Sequence, residues 1–205
     1  MMRRMIIGLC LLLAGMWEIG CQHSELSVAD YQKWVEQEDN PTLIQDKTMG
    51  DLIFSAKYKP RSYVAMLHAG TTQIPPLRLQ AMEDSLKGYE YFTFKIAHPN
   101  HNTELLKLNL NQQDEYFARV EYYSFGIQND FFLISGQDTI PCALSHFERT
   151  YGLAPHATFT LSFECQRKVH EPLTLLYNEK VFGLGLIALR FEAENLNKIP
   201  SVSFF

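Results

Sequence analysis

His146 and Glu148 stand two residues apart in "SHFER", so on an extended strand both side chains leave by the same face, and His156 follows in the loop "YGLAPH". Two imidazoles and a carboxylate on one face are the donor set of a metal-assisted hydrolase, in which zinc activates a water and a carboxylate moves the proton. The set is sparse for that purpose. Zinc sites take three or four ligands at recognisable spacing, and neither "HEXXH" nor "CXXC" occurs in the chain. The competing reading is a histidine satisfied at the end of a sheet, with Glu148 and Arg149 in solvent; His98 and His101 in "HPNH" read as loop polarity. There is no "GXSXG" nucleophile elbow and no "GXXXXGK" phosphate loop, and "GLG" at 183–185 lacks the surroundings of a dinucleotide fingerprint. It reads as a bend at the start of a strand. No metal and no cofactor is expected.

Cysteine carries the other chemistry. If "YGLAPH" is a hairpin loop, positions facing each other across it keep a constant sum of 307, which sets Cys142 opposite Cys165. In an oxidising compartment that pair could form a cross-strand disulfide. Two buried thiols on a face shared with Ile140, Leu144, Leu161 and Phe163 are the alternative. The same register sets Leu144 opposite Phe163 and His146 opposite Leu161.

Cys21, in "WEIGCQHSE", belongs to a different pattern. Arg3 and Arg4 form a basic start, and the 13 residues Met5 to Trp17 are uncharged and mostly aliphatic, the length of a secretory signal core. A bilayer-spanning helix needs about 20 such residues. Gly20 before Cys21 resembles the lipobox of bacterial lipoproteins, in which the thiol receives a palmitate-type acyl chain and cleavage leaves the cysteine as the new N-terminus. Glu18 and Ile19 depart from the aliphatic and small residues usual there, and an ordinary signal peptide with an incidental cysteine is the alternative.

Loss of residues 1–20 removes Arg3, Arg4 and Glu18, so 16 of 18 basic and 22 of 23 acidic residues remain, with a formal charge of -6. No lysine or arginine cluster offsets that sum, which argues against nucleic acid as a partner and against polybasic contact with anionic lipid. With 46% hydrophobic and 13% aromatic residues, the rest of the chain can bury a core as one domain.

The elements that must position these groups follow from periodicity. Ser27 and Asp30 cap a helix whose inner face is Val28, Tyr31, Trp34 and Val35, with Leu26 stapled to Tyr31, and Asn40 and Pro41 end it. Leu43 to Tyr58 reads as two strands about a Gly50-Asp51 turn. Pro60 opens a short helix to Gly70, and Pro75 and Pro76 lead into another, with Leu79, Met82 and Leu86 inward and Gly88 as its stop. From Tyr89 the period is two, with Phe92, Phe94 and Ile96 on one side. Leu105 to Leu110 reads as a strand, and Asn111 with Asp114 begins a helix carrying Tyr116, Phe117, Val120 and Tyr123. The remainder reads as strands at 131–135, 139–147, 158–165, 173–177, 186–192 and near 199–204, joined by tight turns. Short links imply antiparallel pairing, so the expected fold is α+β: a mostly antiparallel sheet, sandwich-like or an open barrel, with three or four short helices. The expected organisation is a signal peptide at 1–20, a tether at 21–25 and one domain at 26–205.

The run "GDLIFSAKYKPRSY", then "DTIPCALSHFERTYGLAP", "YNEKVFG" and a closing "NKIP" resembles a group of uncharacterised lipoproteins of Bacteroidota-type bacteria. The likeness implies a lipid-anchored protein of the cell envelope and supplies no catalytic residues; the expected place is the outer membrane, facing the periplasm or the surface. The expectation is therefore a non-enzymatic envelope lipoprotein, a binding or assembly module held to the membrane by its anchor, with an envelope protein or glycan as partner. The alternative is a metal-assisted hydrolase using His146, Glu148 and His156.

Overall fold

The computed structural model describes residues 24–71, 73–99 and 104–204; Cys21, His101 and the signal segment lie outside them. A short strand, β1 (Glu25–Ser27), runs straight into α1 (Val28–Glu36). Ser27 Oγ accepts from the Asp30 N–H at 3.2 Å and donates to the Asp30 carboxylate at 2.7 Å, which starts the helix as expected. Tyr31 and Val35 bury. Asn40 then fixes the exit, donating to the Trp34 carbonyl at 2.9 Å and accepting from the Thr42 N–H at 3.1 Å.

β2 (Ile44–Met49) and β3 (Leu52–Lys59) pair about the Gly50-Asp51 turn, where Gly50 takes φ +56°, a conformation that only glycine enters without strain. Pro60 precedes α2 (Arg61–Ala69), which Gly70 ends in the left-handed region, and α3 (Pro76–Ser85) starts on Pro76. β4 (Tyr89–Ala97) buries Phe92, Phe94 and Ile96 completely, and Glu90 on the same side with them. The strand expected at Leu105 to Leu110 is instead a 3-10 turn at Leu105–Lys107. Leu105 and Leu106, adjacent within it, both bury, as a tight helical turn laid on the core allows. α4 (Gln113–Glu121) widens into a π turn over Tyr122–Gly126. A Cβ on Gly126 would lie 2.8 Å from the Tyr122 ring, so the turn needs glycine there.

The rest is β5 (Phe131–Ser135), β6 (Asp138–Pro141), β7 (Leu144–Glu148), β8 (His156–Glu164), β9 (Leu173–Glu179), β10 (Gly185–Phe191), a single turn α5 (Ala193–Leu196) and β11 (Ser201–Ser203). Two antiparallel sheets, in the orders β10-β9-β5-β6 and β2-β3-β4-β8-β7, face each other and do not close into a barrel. Aromatic rings fill the space between them: Phe94 meets Phe131 at 4.9 Å and Tyr177 at 5.3 Å, and Phe92 meets Phe191 at 5.4 Å. The fold is α+β and mostly antiparallel, as expected, with five α-helices among the described residues where three or four were expected. The exception is β1, which begins at Glu25 and pairs in parallel with β11.

The segment expected as one strand at 139–147 is two strands in different sheets. The N–H of Cys142 donates to the Phe131 carbonyl in one sheet, and that of Ala143 to the Ser162 carbonyl in the other. β7 and β8 do form the expected hairpin, but its register is one residue away from the one expected: Leu144 faces Ser162 and His146 faces Thr160. Phe147 decides it. In the observed register it stacks on Phe159 at 5.1 Å within the core, whereas the expected one would have set it against the outward Thr160. Leu144, expected inward opposite Phe163, is 59% exposed.

Candidate functional site

The observed register keeps His146, Glu148 and His156 on one outer face of the sheet but does not gather them into a site. His146 and Glu148 lie on the outer face of β7, where Glu148 accepts from Thr160 Oγ1 at 3.3 Å, and His156 opens β8 opposite Ala97. Burial, then Lys95, lower the His156 pKa, and Glu148 opposes them. Among the described residues no three histidine, cysteine, aspartate or glutamate side chains converge on one point that could hold a metal. Cys142 and Cys165 are both free and buried; the facing pair expected of them is absent because Cys142 sits where the chain changes sheets. Cys142 Sγ donates to the Leu144 carbonyl at 3.1 Å, and burial pushes its thiol up to about 11.

Acids missed in the sequence build the site instead. β9 alternates inward Leu173, Leu175 and Tyr177, and the same parity carries Glu179 inward to 2% exposure. Its carboxylate accepts from the Val181 N–H at 2.7 Å, from the Phe182 N–H at 3.0 Å to each oxygen, and from the Leu184 N–H at 3.0 Å. One buried charge thus folds the loop 180–184 around itself, and Gly183 and Gly185, both at positive φ, let the chain turn tightly enough to bring those donors inward. Beside it, Asp130 accepts from Tyr122 Oη at 2.8 Å and Asn178 Nδ2 at 3.3 Å, and pairs with Lys180 at 2.5 Å. Burial and then the Asp130 hydrogen bond hold the Tyr122 phenol well above its ordinary value.

This braced loop walls two cavities. One, of about 380 Å3, is lined by Glu115, Ala118, Arg119, Tyr122, Lys180 and Val181. The other, of about 420 Å3, lies under the Gly50-Asp51 turn and adds His98, Asn109, Phe182 and Leu184, with Arg119 and Val181 shared between the two. Arg119 donates to the carbonyls of Leu106 and Leu108 and lies 5.1 Å above the Phe182 ring. Asn109 adopts φ +55°, unusual outside glycine. Carboxylate, amide and guanidinium groups set beside leucine and phenylalanine can hydrogen-bond a polar ligand and cover its apolar faces.

Strand direction places the cleft. β3 runs from Leu52 at the cleft to Lys59, and β10 from Gly185 at the cleft to Phe191, which packs on Tyr58 and Phe92 at the other end. There α5 and β11 follow, and Ser24 accepts a bond from the Ser201 N–H. Ser24 and the cleft are therefore a strand length apart, about 26 Å for eight residues. No family model, curated protein or solved structure matches the chain.

Proposed function

We propose that the chain is a lipid-anchored module of the cell envelope, without catalytic chemistry of its own, that presents the cleft around Arg119 and Phe182 to an envelope protein or glycan. The observation that carries this reading is the opposition of the two ends. Cys21 precedes Ser24 by three residues, so an acyl chain on it would tether the β1–β11 end to the bilayer and turn the cleft outward. The signal-like start, the Gly20-Cys21 junction and the resemblance to envelope lipoproteins support the anchor. The buried acids Glu90, Glu104, Asp130 and Glu179 all have partners within the fold, which supports a binding role over a reactive one.

The test has two arms. Intact mass of the protein from membranes should show a lipid increment on a chain starting at Cys21, and Cys21→Ser should abolish both the increment and membrane fractionation. A photo-crosslinker at Asn109 should capture one defined envelope component that the same group on the outer face of β7, at His146, does not. A chain without lipid, or equal capture from both positions, refutes the reading.

A further inference from the structure

A second cavity lies at the opposite end of the strands from the cleft. Arg61 at the start of α2, Lys87 and Gly88 before β4, and Gln166 and Arg167 after β8 enclose about 320 Å3, with Glu90 and Cys165 also in its wall. Three cations thus face one carboxylate in a chain whose formal charge is -5. Their existing partners leave capacity. Lys87 pairs with exposed Asp84 at 2.7 Å, and Arg167 gives one nitrogen to Asn197 Oδ1 at 3.3 Å. Among the described residues Arg61 has no hydrogen-bond or ion-pair partner. Glu90 is already engaged by Tyr58 Oη at 2.6 Å, and burial, the largest influence on it, disfavours its charged form against the opposing pull of that bond, Arg61 and Arg167. The first turn of α2 has no side-chain cap and no acidic residue, so the helix end adds positive potential beside Arg61.

We propose that this cavity binds a phosphate group. Two guanidinium groups, an ammonium and the Gln166 amide are the donors that a tetrahedral oxyanion takes, and the volume equals roughly ten waters at ~30 Å3 each, enough for a phosphate and part of its hydration. The favoured source is an anionic phospholipid headgroup. α2, β4 and β8 meet the cavity at the end where Ser24 enters, so a chain anchored at Cys21 carries it at headgroup level. This choice of source rests on the anchored reading; the phosphate site itself does not. The charge balance that argues against a polybasic surface does not apply to three cations gathered in one pocket.

The full chain, with arginine side chains labelled, is titrated with inorganic phosphate and separately placed in nanodiscs of phosphatidylglycerol or of phosphatidylcholine. The Nε–H resonances of Arg61 and Arg167 should move and saturate at millimolar phosphate. Arg61→Ala with Arg167→Ala should weaken that binding about tenfold or more, since each removes a charge-assisted bond. Lys87→Gln, at an exposed position, serves if the double variant fails to fold, and should weaken it severalfold. Movement in phosphatidylglycerol but not phosphatidylcholine identifies the headgroup as the source; movement with inorganic phosphate alone identifies a soluble phosphate compound, and the site stands in both cases. Resonances that stay fixed in every arm, or binding unchanged in the variants, overturn it. Intact mass separates the readings: an acylated chain with fixed resonances loses the phosphate site alone, and an unacylated chain that binds phosphate loses the anchor alone.

Discussion

Replacing Glu179 by glutamine tests the brace of the cleft with almost no change of shape. The wild-type carboxylate takes four contacts from three backbone N–H groups at 2.7–3.0 Å. Glutamine keeps one carbonyl oxygen, which can still serve Val181 and Phe182, and turns an NH2 group towards the Leu184 N–H. One buried donor then loses its acceptor, at about 1–3 kcal/mol, and the remaining bonds weaken with the loss of charge, so the total is about 3 kcal/mol. Glu179→Ala strips all three donors and should cost about 5 kcal/mol. At a slope of ~2 kcal/mol per molar urea the glutamine variant loses about 1.5 M in midpoint. Its melting temperature should fall by about 6–12 °C for a domain of this size. The assay is urea unfolding followed by tryptophan fluorescence, paired with amide exchange at Val181, Phe182 and Leu184, whose protection should drop in both variants. A midpoint loss under about 0.3 M with unchanged protection at the three amides would show that the loop stands without its carboxylate.

Burial raises the Glu90 pKa above its ordinary 4.5, with the Tyr58 hydrogen bond and Arg61 opposing. The folded state therefore holds that proton more tightly than the unfolded one, and the stability it contributes is complete below pH 4.5 and lost as pH rises through the raised value. The melting temperature of Glu90→Gln minus that of wild type should accordingly climb from pH 4.5 towards neutrality; a flat difference contradicts the account. Tyr58→Phe removes a bond of 2.6 Å to a buried carboxylate and should destabilise by about 1–3 kcal/mol, whereas Tyr123→Phe removes a buried hydroxyl without a partner and should cost under about 0.5 kcal/mol in the same urea assay. Equal losses in the two would reject the distinction. The Cys142 thiol, buried and pushed up to about 11, should resist iodoacetamide at pH 8 in the native protein and react once it is unfolded, with the Cys165 peptide also recovered as a free thiol. Recovery of a peptide linking the two would reverse the assignment.

Local chemistry was the most legible part of the chain. The Ser27 cap, the Gly50 turn, the proline-started helices and the inward face of β4 are each decided by neighbours a few residues apart, and the sequence carries those neighbours. The sheet change at Cys142 is not local: it depends on Phe147 reaching Phe159 and on β5 holding the preceding strand. No count along 139–165 contains that competition. The buried acids were partly legible. Glu90 shares the parity of Phe92, Phe94 and Ile96, and Glu179 that of Leu173, Leu175 and Tyr177, so extending the alternation by one step in each strand turns both inward. For Glu179 the two following glycines, at 183 and 185, were a second signal of a chain returning on its own carboxylate. The cleft itself gathers 50–51, 98, 109, 119 and 181–184, segments that only the closed sandwich brings together.

The change of sheet between Cys142 and Ala143 also bears on how the molecule comes apart. Residues 138–148 give one strand to each layer with no slack between them, so a hairpin β7–β8 that loosens drags on β6, and through it on the Phe131 and Phe159 rings that separate the layers. A half-unfolded species with one layer intact would have to break this short link's hydrogen bonds and expose the aromatic filling at once. The two layers are in that sense a single cooperative unit. Far-ultraviolet dichroism, which reports the strands, and near-ultraviolet dichroism, which reports the rings, should trace coincident unfolding curves.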